Sequence, residues 1–195
     1  MSASTGSHRI SVRDIANRKG GAPLVCLTAY TAPVAKILDD HVDLLLVGDS
    51  LAMVIYGMDS TQGVSVDMMI AHGGAVVRAT ERACIVIDLP FGSYESSPQE
   101  AFETASMVLA ETGCAAVKLE GGVVMAETVR FLVGNGIAVM GHVGLLPQSV
   151  KASVGYRVHG RQPEEAARIR ADARAIADAG AFPLCWQISS NLWPG

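Results

Sequence analysis

Aromatic residues are scarce (5%), charged residues are few (17%), and neither sign dominates: 15 Lys and Arg stand against 19 Asp and Glu, for a net charge of −4. That balance excludes the basic surface a nucleic acid or an anionic membrane would require. No apolar run approaches the ~18–20 residues of a membrane span, and no early apolar segment follows the N-terminal charges. The four cysteines, Cys26, Cys84, Cys114 and Cys185, form no C-x-x-C pair. Three of them sit in or beside apolar runs, so buried reduced thiols are expected rather than a zinc site or a disulfide framework. No G-x-G-x-x-G or G-x-x-x-x-G-K-[ST] follows the first strand, which counts against a nucleotide-binding loop. Gly20-Gly21 precedes that strand and reads as a turn. A cytoplasmic protein is the expectation.

What is present is apolar and small. Hydrophobic residues make up 50% of the chain and Gly accounts for 20 of 195 residues. Such a composition excludes general disorder, and the length suits one domain with a sizeable core. Apolar runs at 24–28, 43–47, 83–88, 115–119 and 137–141 read as strands. They are nearly continuous rather than alternating, as parallel strands covered on both faces should be. Residues 181–186 would be a sixth, although Pro183 counts against a central position. Helical patterns separate the runs. One follows Thr31 to about Asp39, and another follows Ser65 or Asp67 to about Ala79. Ser97-Pro98 opens a third that stops at Gly113, and 122–133 and 163–179 complete the set, with a short helix at 13–18 before the first strand. Strand–helix repetition of this kind implies right-handed crossovers and a parallel α/β sheet, and both a Rossmann sheet and a (β/α)₈ barrel fit.

Charge sits at the strand ends. Asp49-Ser50 follows the second run, Asp88 ends the third, Lys118 and Glu120 end the fourth, and His142 follows the fifth. A single Asp after a strand is ordinarily a turn or cap residue. Four successive strand ends bearing three carboxylates, a Lys and a His point to convergence on one polar site, as at the mouth of a barrel. An oxygen-rich set without a Cys or His cluster suits Mg²⁺, which binds through one or two carboxylates and the substrate. Lys118 reads either as the balance of buried carboxylates or as the cation that receives a substrate carboxylate or enolate. His142 is equally a core histidine or a site residue. Tyr94, Arg157 and Arg161 are further candidates for the mouth. A 2-oxo acid chelating the metal would be activated toward an enolate, and a general base would still be needed.

Five segments in order carry a family resemblance: VGDSLAMVIYGMDST (Val47–Thr61), DLPFGSYESSP (Asp88–Pro98), VKLEGG (Val117–Gly122), VMGHVGLLPQSV (Val139–Val150) and GYRVHGR (Gly155–Arg161). Together they closely resemble the ketopantoate (3-methyl-2-oxobutanoate) hydroxymethyltransferases. The resemblance implies a (β/α)₈ TIM barrel of the phosphoenolpyruvate/pyruvate superfamily, assembled as a homodecamer. It also implies transfer of a one-carbon unit from 5,10-methylenetetrahydrofolate to 3-methyl-2-oxobutanoate, giving 2-dehydropantoate for pantothenate biosynthesis. By matching motifs, Asp49 and Asp88 look like the Mg²⁺ ligands, with Glu120 a more distant third. Asp49, Ser50, Asp88 and Lys118 look like contacts of the oxo acid, and His142 matches a site-lining position.

Two departures accompany the resemblance. Ala52 stands where the family motif often has Gly, a change of one methyl group. Gln187 falls where the family has the Glu that deprotonates the oxo acid, and an amide has no useful basicity. No catalytic base is therefore assigned. The expected organisation is a disordered tail at 1–7, a partial barrel at 8–182, and a segment at 183–195 that matches nothing in the family, as a frameshift or assembly error would leave. A barrel takes roughly 250 residues, so the last two βα units are expected to be absent and the open sheet prone to aggregate. Three functions follow: the family's transferase activity, an inactive remnant that keeps the metal and oxo-acid residues, or lyase or mutase chemistry on a related oxo acid. The specificity of the motifs argues against the last.

Overall fold

The computed structural model describes residues 9–149, 160 and 162–187. Its strands are β1 (Cys26–Thr28), β2 (Leu44–Val47), β3 (Cys84–Asp88), β4 (Ala116–Glu120), β5 (Val139–Gly144) and β6 (Phe182–Gln187). Its helices are α1 (Val12–Ala16), α2 (Ala32–Leu38), α3 (Leu51–Val54), α4 (Val66–Ala79), α5 (Pro98–Thr112), α6 (Ala126–Gly134) and α7 (Pro163–Asp178). The six strands pair in sequence order, every pair parallel. A helix follows each of β1 to β5 and the next strand returns beside its predecessor, which generates six consecutive strands of a (β/α) barrel as an open, curled sheet.

Local chemistry sets the element bounds. The Ser65 and Ser97 side chains accept the N–H groups of Met68 and Glu100 at the starts of α4 and α5. Gly113, at φ +71°, ends α5 in the left-handed conformation that suits glycine. The helix expected from residue 122 begins later. Residues Val123–Met125 form a 3₁₀ turn, because the Asp172 carboxylate of α7 takes the Val123 N–H at 2.9 Å. A Cβ at Gly122 would lie 2.0 Å from the Asp172 side chain, so only glycine permits that contact.

Side chains alternate across the strands and build two cores. Leu45, Val47, Ile85, Ile87, Val117, Leu119, Val139 and Val143 face the helices and pack with residues such as Met69, Val76, Val108, Leu132 and Ile176. Leu44, Cys84, Val86, Ala116 and Met140 lie on the other, inner face, where Ile15 of α1 closes over them. α1 also touches β6, so it crosses beneath the sheet from one edge toward the other.

Both edges bear on the sequence expectations. β1 is exposed along its length, and Cys26 with it, whereas Cys84 and Cys114 are buried as expected. The side chain of Cys185 lies outside the described residues. Pro183 is accommodated by a register shift in edge strand β6: Met140 pairs with Phe182 and Gly141 with Leu184, leaving the proline, which has no N–H to donate, without a partner. Among the described residues no helix is long and apolar enough to cross a membrane.

Ile15 is 3% exposed and is the contribution of α1 to the inner core. Ile15→Ala is expected to lower the free energy of urea unfolding by roughly 2–5 kcal/mol. An unchanged denaturation midpoint would show that α1 does not close the inner face.

Candidate active site at the strand ends

Toward the C-terminal ends of the strands the inner face changes from apolar to charged. Asp88, Lys118, Glu120 and His142 continue the inward-facing positions of Val86, Ala116 and Met140, two residues apart on each strand. Register places Asp88 beside Lys118, and Glu120 beside His142. The Lys118 ammonium is in direct contact with Asp88 Oδ1, with both side chains almost completely buried. His142 Nδ1 lies 3.2 Å from Glu120 Oε1, yet neither ring nitrogen makes a hydrogen bond of normal geometry among the described residues.

Asp49 arrives from the loop after β2, where its N–H donates to Asp88 Oδ2 at 3.1 Å. Gly48 makes this turn close: a Cβ there would lie 2.9 Å from Ser50 Oγ and 3.5 Å from Asp88 Oδ2. Ser50 Oγ in turn lies 2.9 Å from the Tyr30 hydroxyl. The turn then enters α3, a short helix without a forecast in the sequence, whose Leu51 and Ala52 are fully buried. The methyl group of Ala52 is thus accommodated in the core.

Burial and mutual repulsion tune these groups. Burial pushes the Asp88 carboxyl up to about 6, opposed by Lys118 and reinforced by Asp49. Burial likewise pushes Glu120 up to about 7, again opposed by Lys118. For Lys118 burial disfavours the ammonium, but contact with Asp88, supported by Glu120 and Asp49, holds it above its ordinary value and charged. Burial, then Lys118, drives His142 down to about 3, so its imidazole is neutral. Burial also raises the Tyr94 phenol, which stays a protonated donor.

Three buried carboxylates therefore face one buried ammonium, an excess of two negative charges when all are ionised. A divalent cation suits both that excess and the hard oxygen donors. The fit is that of an open site. Among the described residues no three Asp, Glu, His or Cys side chains come together to hold an ion unaided. Asp49 and Asp88 stand next to each other, while Glu120 is turned toward His142 and the loop after β5.

The structure thus gathers Asp49, Ser50, Asp88, Lys118, Glu120, His142 and Tyr94 at one end of the sheet. Arg157 and Arg161 lie outside the described residues. Gln187 is the last residue of β6, paired with Gly144 at the same end of the sheet. One buried polar residue at the centre of the cluster escaped the strand-end pattern. Gln148, 1% exposed, sits in the 3₁₀ turn Pro147–Ser149 beyond β5 and reaches Asp49, Tyr94 and Glu120. Its signal was a polar residue in a Leu-Leu-Pro-Gln turn, four positions past the strand.

Charged residues collected at the C-terminal ends of parallel barrel strands define an enzyme of the barrel class. Solved structures agree on the fold. Phosphonopyruvate hydrolase in complex with oxalate and Mg²⁺ aligns with a TM-score of 0.66 at 12% identity, over 91% of this chain and 63% of that one. 2,3-Dimethylmalate lyase, a member of the PEP mutase/isocitrate lyase superfamily, aligns with a TM-score of 0.59 at 17% identity, over 90% of this chain and 60% of that one.

The family model for ketopantoate hydroxymethyltransferase matches residues 9–190, and the chain belongs to that family. The match runs past residue 182, where the motif resemblance was drawn to a close. Proteins named 3-methyl-2-oxobutanoate hydroxymethyltransferase are similar throughout: that of Sinorhizobium fredii is 61% identical over 184 residues, 94% of this chain and 67% of its own length. That of Paracoccus denitrificans is 64% identical over 171 residues, 88% of this chain and 62% of its own. The chain thus spans about two thirds of the length of these relatives.

The raised Glu120 pKa has a definite consequence for stability. The fold holds this proton up to about pH 7, whereas an unfolded chain releases it near 4.5. The contribution is therefore full below pH 4.5 and is lost as pH rises to 7. Glu120→Gln abolishes this titration. Urea unfolding at the two ends of the window is expected to show a smaller loss of stability for the variant than for the parent; an equal loss would refute the assignment.

Proposed function

We propose that the chain carries the oxo-acid and metal site of a 3-methyl-2-oxobutanoate hydroxymethyltransferase. The observation that carries this reading is the buried cluster in which adjacent strands set the Asp88 carboxylate against the Lys118 ammonium, with Asp49 and Ser50 on the neighbouring loop. Asp49 and Asp88 are the residues to hold Mg²⁺, with Glu120 more distant. When bound, the ion supplies Lewis-acid polarisation of the keto oxygen. Lys118 offers a fixed positive charge to the substrate carboxylate or to the enolate oxygen as charge develops there. Ser50 adds a hydroxyl, and neutral His142 lines the site without competing for the anion.

In the proposed reaction C3 of the oxo acid loses a proton and attacks the methylene carbon of 5,10-methylenetetrahydrofolate. One of the two C–N bonds to the folate breaks as the carbon is attacked, and water completes the hydroxymethyl group as the second breaks. The C3 proton and one proton of the water end on the two folate nitrogens, giving 2-dehydropantoate and tetrahydrofolate. Neither oxidant nor reductant is consumed. The proton must pass to a base, and at the position where the family resemblance expects a Glu this chain has Gln187. Proton abstraction is accordingly the slow step assigned to this chain, while binding and enolate stabilisation rest with Asp49, Ser50, Asp88 and Lys118. A cytoplasmic setting and assembly with further copies of the chain belong to the same proposal.

Deuterium exchange at C3 of 3-methyl-2-oxobutanoate, followed by NMR in D₂O, tests the reading without the folate. The expected result is slow, Mg²⁺-dependent exchange that Lys118→Met abolishes and Gln187→Glu accelerates by about 10²–10⁴-fold. Absence of Mg²⁺-dependent exchange from both the parent and Gln187→Glu would overturn the proposal.

A further inference from the structure

Gln148 uses every polar group it has. Its side-chain Nε2 donates to Asp49 Oδ2 and to the Leu89 carbonyl, each at 2.9 Å. Its Oε1 accepts the Tyr94 hydroxyl at 2.6 Å. Its backbone N–H donates to Glu120 Oε2 at 3.1 Å, and its carbonyl accepts Gln62 Nε2 at 2.8 Å. The Tyr94 hydroxyl itself accepts the Glu120 N–H at 3.1 Å, so its single proton is directed to Gln148. The amide orientation follows from chemistry: a carboxylate and a carbonyl can only accept, so the NH₂ must face them, and the hydroxyl donor must meet the oxygen.

We propose that Gln148 is a positioning residue that fixes the Asp49 and Glu120 carboxylates in the strand-end site. The inference rests on the oxo-acid and metal reading above and assigns to this residue a role in how that site is held. The amide occupies Asp49 Oδ2 and leaves Oδ1 to a ligand, and the main-chain N–H anchors Glu120 beside His142. Without the side-chain amide, Asp49 loses a buried donor, and the Lys118 ammonium of the site is already held by Asp88. No common substitute supplies two donors and an acceptor at this reach. Glu would set a second carboxylate against Asp49, Asn is a carbon short, and Met matches the length without any polar contact. Outer contacts of this kind are typically worth 10–100-fold in metal affinity.

The test uses the full chain, Mn²⁺ as the probe, and two variants. Gln148→Met is expected to raise the Mn²⁺ Kd, read by electron paramagnetic resonance, by about 10–100-fold while circular dichroism shows a folded protein. Tyr94→Phe, which removes the hydroxyl that orients the amide and accepts the Glu120 N–H, is expected to raise it by a smaller factor. In crystal structures of both variants the Asp49 carboxylate should be rotated from its position in the parent. A folded Gln148→Met with Kd within twofold of the parent overturns the inference, as a purely structural role predicts lower stability with affinity unchanged. If Gln148→Met does not fold, Tyr94→Phe decides, and an unchanged Kd with an unmoved Asp49 overturns it. If the parent itself binds no Mn²⁺, the metal reading falls, and the crystallographic positions of Asp49 and Glu120 alone decide the role of Gln148.

Discussion

Lys118 is the only buried ammonium described among three buried carboxylates, and the arrangement of the strand-end site depends on its contact with Asp88. Removing either charge from water is costly, and the cost is offset only when the partner is held at contact. A parallel sheet does this without long side-chain excursions, because register alone sets residues 88 and 118 side by side. Removing one partner would leave the other charge buried and unpaired, a far larger loss than the net worth of the pair. The same requirement is met by an inner face that is apolar and buried below the pair. Val86, Ala116 and Met140 support it, and α1 seals them.

Above that pair, precision passes from strands to loops. The loops after β2, β3 and β5 supply Asp49, Tyr94 and Gln148, and hydrogen bonds tie the first two, with Glu120 at the end of β4, to Gln148. Loops are ordinarily the mobile part of a barrel. Here their polar groups are buried and mutually satisfied, which gives a ligand site on loops some of the rigidity of one on strands. The excess of carboxylate over ammonium leaves the region electrostatically incomplete, a property of ligand sites more than of finished cores.

Much of this was legible in the sequence because parallel strands buried on both faces leave continuous apolar runs, and because their charged C-terminal residues stand out against them. Asp49, Asp88, Lys118, Glu120 and His142 were found in that way. Ser97-Pro98 and Gly113 marked α5 to within a residue through cap chemistry alone. The losses have equally physical causes. Cys26 sits in an apolar run but on an edge, and a local pattern does not distinguish an edge strand from a central one. The start of α6 depends on Asp172, about fifty residues away, and Gln148 depends on partners from the segments after β2 and β3 and from the end of β4. Side chains whose role is set by such distant partners leave no periodic trace.

The position of α1 bears on the order in which this chain can acquire its structure. Ile15 shares its core with Phe182, at opposite ends of the described chain. During synthesis α1 therefore leaves the ribosome well before β6, a strand it packs against. Its apolar face stays open to solvent until β6 has emerged, and bringing the two together closes a loop that spans nearly the whole sequence. Contacts this remote are slow to form and favour no local intermediate. The helix that seals the inner face is thus open to premature pairing with another chain for as long as β6 takes to follow it.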